Sequence, residues 1–415
     1  MELGKYSFGT GDRFAHQGEA QLQGSILAKE AGVELTHVWN KSFREHKTVK
    51  SDPASVRKEA DDSVNALGWE GQYLVDADHI NMDTVDDFVA SSDFFTLDVA
   101  DYIGKEVSAE EIEAFVSKYY KYTGQLTIPG IDSPFTIDED FIKRIASTFL
   151  LAAKEAGKIY RRIVELKGNE DFIAEVSMDE VDDPQSPAEL FFILAAIADA
   201  GIPAQTIAPK FTGRFNKGVD YVGDVDQFAK EFEEDILVIQ HAIKEFGLPQ
   251  NLKLSVHSGS DKFSIYKPIC ELTKKYDTGV HVKTAGTTWL EELIGLAEAG
   301  DEGLELAKAI YAKALGRFDE LTGPYATVID VQIEGLPTAD EVNGWSGEKF
   351  ANTLRHDQSN PDFNLQFRQL LHCGYKVAAE YGDTYFNALN KYKEIIAKNV
   401  TENIFDRHIR PLFIG

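Results

Sequence analysis

Short apolar runs alternate with longer amphipathic stretches along the first 290 residues, and eight of those runs end in a polar cluster. The clusters are FGTGDR (8–13), HVWNKS (37–42), VDADH (75–79), LDVAD (97–101), EVSMDE (175–180), APKF (208–211), VHSGSDK (256–262) and HVKTAGTT (281–288). β-Branched or aromatic residues precede each, as in LTHVW, QYLV and NLKLSV, which is the composition of buried strands. Most gaps between the runs are long enough for one or more helices. Strands alternating with helices predict an α/β fold with a parallel sheet. Eight units fit a closed (β/α)8 barrel of the TIM type, in which chemistry sits at the C-terminal ends of the strands. The titratable residues of this chain stand at those ends.

Helix punctuation agrees with this reading. Residues 15–31 form a first helix closed by Gly32, and 53–68 a second, opened by Pro53 after Asp52 and closed by Gly68. Ser108 and Glu111 make a capping box for a helix over 108–120. The stretch TGQLTIPGIDSPFTID (123–138) lacks a helical period and carries three turn signals, so it reads as a hairpin-like excursion between strands four and five. Helices follow over 138–166, 186–200 and 224–246. Beyond 288 the strand pattern stops, and 288–321, 346–355 and 363–408 are mostly helical by period. The division expected is a catalytic barrel over 1–290 and a helical extension over 291–415 packed on it, within one structural unit. The apolar face of NKYKEIIAKNVTENIFDRHI is a core face or the interface of a homo-oligomer.

Composition narrows the partners. A formal net charge of −27 argues against nucleic acid or an anionic membrane held through a general basic field. No apolar run approaches the roughly 20 residues that span a bilayer, and MELGKYSFGTGDR leads straight into a strand without a signal-peptide pattern. Two cysteines, Cys270 and Cys373, make no disulfide framework, so a reducing, cytoplasmic setting is expected.

Three histidines stand at or near strand ends: His79, His257 and His281. Imidazole and carboxylate suit the same divalent ions, and a barrel gathers distant strand ends around one mouth. Asp76, Asp78, His79, Glu175, Asp179, His257 and His281 are thereby placed to surround one cation. His281 lies nearer the start of its strand, and its alternative is a hydrogen-bonded core histidine. Strand alternation puts Glu175, Ser177 and Asp179 on one face, and Asp76 with Asp78 on another. Inward carboxylates are costly unless they titrate or bind a cation, which makes Asp78 and Glu175 the general acid/base candidates. Their alternative is ion pairing with Lys210, Lys262 or Lys283. The loops SGSDK (258–262) and TAGTT (284–288) suit an oxyanion or sugar hydroxyls, because glycine frees backbone amides and a helix start favours negative charge. Ser258, Lys262, Lys283 and Thr284 are the binding candidates there. His372 and Arg368 reach the mouth if the C-terminal helices cover it.

SFGTGDR, DADH, EVSMDE, FTGRFNKGVDYVGD (211–224), HSGSDKFSIY (257–266), HVKTAGTTWLE (281–291) and RQLLHCGY (368–375) together resemble the tagaturonate/fructuronate epimerases across nearly the whole chain. HSGSDKFS with HVKTAGT is the specific combination. The resemblance implies a metal-dependent isomerase acting on a ketouronate pair, with members that also act on the neutral pair fructose and tagatose. It implies Asp78 and Glu175 as the acid/base pair, His79 and His257 as metal ligands, and Lys217 and Asp220 as substrate-binding residues. His281 is added as a third ligand from position and chemistry. The expected cofactor is a divalent ion (Zn, Mn, Ni, Co or Fe), and the expected partner a small ketose or ketouronate. Family members carry a further segment ahead of the FGTGDR motif, whereas this chain begins almost at it.

The inverted centre, C4 of the ketose, is β to the ketone, so its hydrogen is not acidified. Retro-aldol cleavage and re-addition is the route expected, with Asp78 taking the hydroxyl proton and Glu175 returning it. Lys262, Lys283, Lys217 and Arg214 are candidates to hold a substrate carboxylate. A metal-dependent (class II) ketose aldolase is the enzyme alternative, and a sugar-binding barrel without turnover the non-enzyme one.

Overall fold

The computed structural model describes residues 1–179, 183–284 and 286–415; Glu180 of the EVSMDE cluster and Ala285 of the TAGTT loop lie outside them. All eight expected strands are present: β1 Tyr6–Thr10, β2 Leu35–Ser42, β3 Tyr73–Ile80, β4 Phe94–Asp98, β5 Ile173–Ser177, β6 Thr206–Ala208, β7 Lys253–Val256 and β8 Val280–Lys283. Each pairs in parallel with its sequence neighbour, and β1 closes on β8 with Tyr6 opposite Val280 and Gly9 opposite Lys283. The result is a closed (β/α)8 barrel.

The helix boundaries follow their punctuation. Asp52 caps Pro53–Leu67, and Gly68 ends it in the left-handed region at φ +59°, a conformation glycine adopts at little cost. Ser108 and Glu111 form the expected capping box. Gly124–Leu126 and Phe135–Ile137 make the expected hairpin, antiparallel and outside the barrel. Helices beyond those expected include Val85–Phe88, Phe263–Lys275 and Phe43–Val49, the last of which follows β2 directly and opens on a capping box between Ser42 and Glu45.

The barrel interior is layered. Leu3, Val38, Leu74, Phe94 and Ile173 form an apolar floor. Above it the inward positions turn polar: Asp76, Thr96, Glu175 and Lys283 are all buried. After β8 the chain is helical. Thr288–Ala299 is nearly all buried and runs against Lys393–Glu402 so closely that a Cβ at Gly295 would meet the Ile396 backbone at 2.8 Å. The final segment Asn403–Ile414 returns to the barrel, where Phe413 packs on Tyr6 with ring centroids 5.3 Å apart. No helix among the described residues is long and apolar enough to cross a membrane.

Candidate active site

Alternation along β3 should send Asp78 and His79 to opposite faces. The structure avoids this with a bulge. Asp76 and Ala77 pair with Phe94 and Phe95, but the next register partner of β4 is Ile80, opposite Leu97. The extra residue falls at Asp78–His79, and His79 takes φ +52°, a strained choice for a side chain other than glycine. Both side chains therefore reach the mouth. There they line a cavity of about 270 Å3 together with Asp98, Asp179, Lys217, His257, Ser258, Lys283 and Thr284.

Lys283 is the centre of the layer below. Its Nζ lies 2.8 Å from Asp76 Oδ2, 3.0 Å from Asp78 Oδ1 and 3.1 Å from Glu175 Oε1, and it donates to Thr96 Oγ1 at 2.5 Å. Burial alone would favour a neutral amine, but the three carboxylates outweigh it and hold the ammonium well above its ordinary range. Burial likewise works to raise Asp78, and Lys283 overcomes it, bringing the carboxyl down to about 2. For Asp76 the order is reversed: burial wins over Lys283, aided by the charges of Asp78 and Glu175, and the group rises to about 7.

The two mouth histidines face each other edge to face, with ring centroids 5.1 Å apart. His257 Nε2 lies 2.7 Å from Glu175 Oε1 and its Nδ1 3.1 Å from Asp179 Oδ1. Burial pushes this imidazole toward neutrality, but Asp179 and Glu175 raise it to about 9. His79 Nδ1 lies 3.3 Å from Asp98 Oδ2. His79, Asp179 and His257 each offer a ligand atom, and these atoms lie within 4.8 Å of one another. Five carboxylates (Asp76, Asp78, Asp98, Glu175 and Asp179) here face one lysine and two imidazoles, and Glu175 Oε2 is buried with no hydrogen-bond partner among the described residues. A cation would relieve that surplus of buried negative charge, and nitrogen with carboxylate oxygen is a donor set that divalent transition ions accept. The site fits such an ion.

Several sequence expectations meet a different geometry. His281 does not join the mouth cluster. It sits two residues before Lys283 on the same face of β8, one layer deeper, with Nδ1 2.9 Å from Ser7 Oγ and its ring against Phe94 at 5.2 Å. Burial lowers it to about 3, as befits a neutral core histidine, and Asp179 takes the third place among the ligand atoms. Glu175 is fully buried and is absent from the cavity wall, which it meets only through Lys283 and His257. Lys262 is spent on the carbonyls of Asn216, Val219 and Ser260 at 2.8, 2.6 and 2.9 Å. Asp220 accepts from Ser264 N and Oγ at 3.1 and 2.9 Å, which tethers that loop to the helix Phe263–Lys275 instead of to a ligand. Arg214 is half exposed and pairs with Asp330. Arg368 grips Gly218 O, Leu354 O and Asp261 Oδ2 and does not reach the cavity, nor does His372. Lys217, Ser258, Lys283 and Thr284 do line it.

Sequence reasoning missed Arg13, Arg44, Glu45 and Tyr325, all in the cavity wall. Arg44 and Glu45 ride on the short helix after β2. The spacing Ser42-x-x-Glu45 was the signal that marks it. Tyr325 comes from a 3-10 turn in the C-terminal helical region, which no strand-end pattern announces.

The depth of His281 is testable. His281→Gln is expected to leave the metal content of the purified protein within about twofold of wild type, measured by elemental analysis, while lowering stability by roughly 1–3 kcal/mol through loss of a buried hydrogen bond. Loss of the ion in this variant would restore His281 as a ligand.

Residues 1–412 match the sequence model of the tagaturonate epimerase family. The tagaturonate/fructuronate epimerase of Thermotoga maritima is 26% identical over 421 residues, spanning 97% of this chain and 80% of that protein. Crystal structures of the fructuronate-tagaturonate epimerase of Cohnella laeviribosi superpose with a TM-score of 0.80 at 24% identity for a glycerol complex and 0.81 at 23% for the native form. Both cover 99% of this chain and 82% of that one. At these identities the structural likeness carries the fold.

Proposed function

This chain belongs to the tagaturonate epimerase family, and from that premise we propose that it interconverts D-tagaturonate and D-fructuronate by breaking and re-forming the C3–C4 bond of the ketose. The observation that carries the reading is the Asp78–Lys283 pair in the cavity wall beside the His79, Asp179 and His257 cluster. A divalent cation held by those three residues would supply Lewis acidity at the ketone and stabilise the negative charge of an enediolate.

The chain's own groups handle the proton. Asp78, ionised because Lys283 stands 3.0 Å away, removes the proton of the C4 hydroxyl. The oxygen lone pair forms the aldehyde carbonyl while the C3–C4 electrons pass to the enediolate fragment. The aldehyde turns over, the enediolate adds to its other face, and the new C4 alkoxide takes a proton from the Lys283 ammonium. Transfer from protonated Asp78 back to Lys283 restores the starting state. Glu175 and Asp76 keep Lys283 charged and fixed, so Glu175 is a positioning residue, not the acid that touches substrate. Enclosure by the barrel and the C-terminal helices retains both fragments.

Reaction in D2O tests the route. The product followed by proton NMR is expected to carry no deuterium at C4, because the hydrogen never leaves that carbon. Stoichiometric deuterium at C4 would replace retro-aldol cleavage by deprotonation, and accumulation of a three-carbon aldehyde would mark an aldolase. Tagatose, run in parallel, establishes whether the neutral pair is also turned over.

A further inference from the structure

The cavity has two unlike walls. One holds the carboxylates and histidines described above. The other holds Arg13, Arg44 and Lys217, in a protein whose net charge of −27 gives no general reason for cations to gather at the mouth. Arg13 is buried, Lys217 half-buried and Arg44 exposed. The Arg13 guanidinium stacks on the Tyr375 ring at 3.8 Å, Arg44 stacks on Tyr325 at 5.0 Å, and the two tyrosine hydroxyls meet at 3.1 Å. Arg13 is also braced by Glu45 at 3.4 Å. Lys217 is set by its backbone amide on Val328 O at 2.8 Å, and among the described residues its ammonium has no ion-pair partner. The planar guanidinium fork matches the geometry of a carboxylate. Both tyrosines and Val328 belong to the C-terminal helical region, so that region positions cations that the barrel loops supply.

We propose that Lys217, with Arg13 and Arg44 held by the Tyr325–Tyr375 pair, clamps the C6 carboxylate of the ketouronate and tethers the aldehyde fragment while it turns. This rests on the epimerase reading above. Cleavage between C3 and C4 leaves the carboxylate on the aldehyde fragment, which is the piece that must rotate without escaping. A clamp at its far end allows rotation about the fragment's long axis and opposes release. Of the four cations expected from sequence, Lys262 is held by loop carbonyls, Arg214 pairs with Asp330 and Lys283 is engaged with Asp76, Asp78 and Glu175, which leaves Lys217 for this task.

The test compares tagaturonate with tagatose, which lacks the carboxylate, in wild type, Lys217→Met and Arg44→Met. The kcat/KM for tagaturonate is expected to fall about tenfold to a hundredfold, the range for one charge-assisted contact, with tagatose changed less than about twofold; retained tagatose turnover reports an intact fold. Lys217→Met should also release three-carbon aldehyde, trapped as its hydrazone, where wild type releases none. Equal losses with both sugars, or an unchanged ratio in both variants, would overturn the clamp; a changed ratio without released aldehyde would keep the clamp and overturn the tether. If wild type converts neither sugar, the epimerase reading fails, and calorimetric Kd values decide the clamp separately: tagaturonate binding weakened at least tenfold by Lys217→Met upholds it, and unchanged or absent binding overturns it.

Discussion

Chelation is expected to abolish turnover, and addition of Mn2+, Ni2+, Co2+ or Zn2+ to restore it. The physical motive is the charge imbalance at the mouth, where five carboxylates meet one lysine and two imidazoles whose ligand atoms already converge within 4.8 Å. Without a cation, cleavage would leave the enediolate charge without a Lewis acid beside Asp78 and Asp179. Full turnover in a sample shown by elemental analysis to be metal-free would sink the proposal. His257→Gln is expected to lose most of the bound ion while keeping its circular dichroism spectrum. Stoichiometric tight binding in that variant would remove His257 from the ligand set. Binding should also show in stability, since an ion present at about a thousand times its Kd adds ~4 kcal/mol to the folded state. Wild type should therefore gain in Tm on metal addition, and His257→Gln should gain far less.

The distance between what the sequence announces and what the site contains follows from the periods involved. Strand ends are local patterns, and all eight fall where the apolar runs stop. Depth within the barrel is not local. His281 and Lys283 share a face by the two-residue period, but which layer each occupies depends on the register between β8 and β1, with Ser7 opposite His281. The bulge at Asp78–His79 is likewise invisible, since VDADH reads as simple alternation. Lys262 is the converse case. Its place in SGSDK suits an anion, but the carbonyls that claim it come from residues 216, 219 and 260, two of them distant in sequence. Arg13 stands inside the FGTGDR motif in plain view. Its use depends on Tyr375, some 360 residues later, and stacking across that separation leaves no periodic trace.

Asp78→Asn is expected to lower kcat by about 10²–10⁴, the usual contribution of a positioned general base, with KM changed little. The amide keeps the shape and a hydrogen-bonding oxygen for Lys283, so packing and the apolar floor below are undisturbed. What it loses is the capacity to accept a proton and one of the three charges that hold Lys283 protonated. The remaining carboxylates, Asp76 and Glu175, still lie within 3.1 Å of that ammonium, so the lysine stays charged near neutral pH and the acid half of the pair survives. The variant therefore isolates the base. Glu175→Gln removes a different thing: the charge behind Lys283 and beside His257 Nε2. A positioning role predicts a smaller loss of turnover together with weakened metal binding, whereas a direct catalytic role predicts a loss as deep as that of Asp78→Asn with metal content intact. Measuring kcat and bound metal for both variants separates these outcomes. A kcat for Asp78→Asn within about threefold of wild type would move the base elsewhere in the cavity, with Asp98 the next carboxylate in its wall.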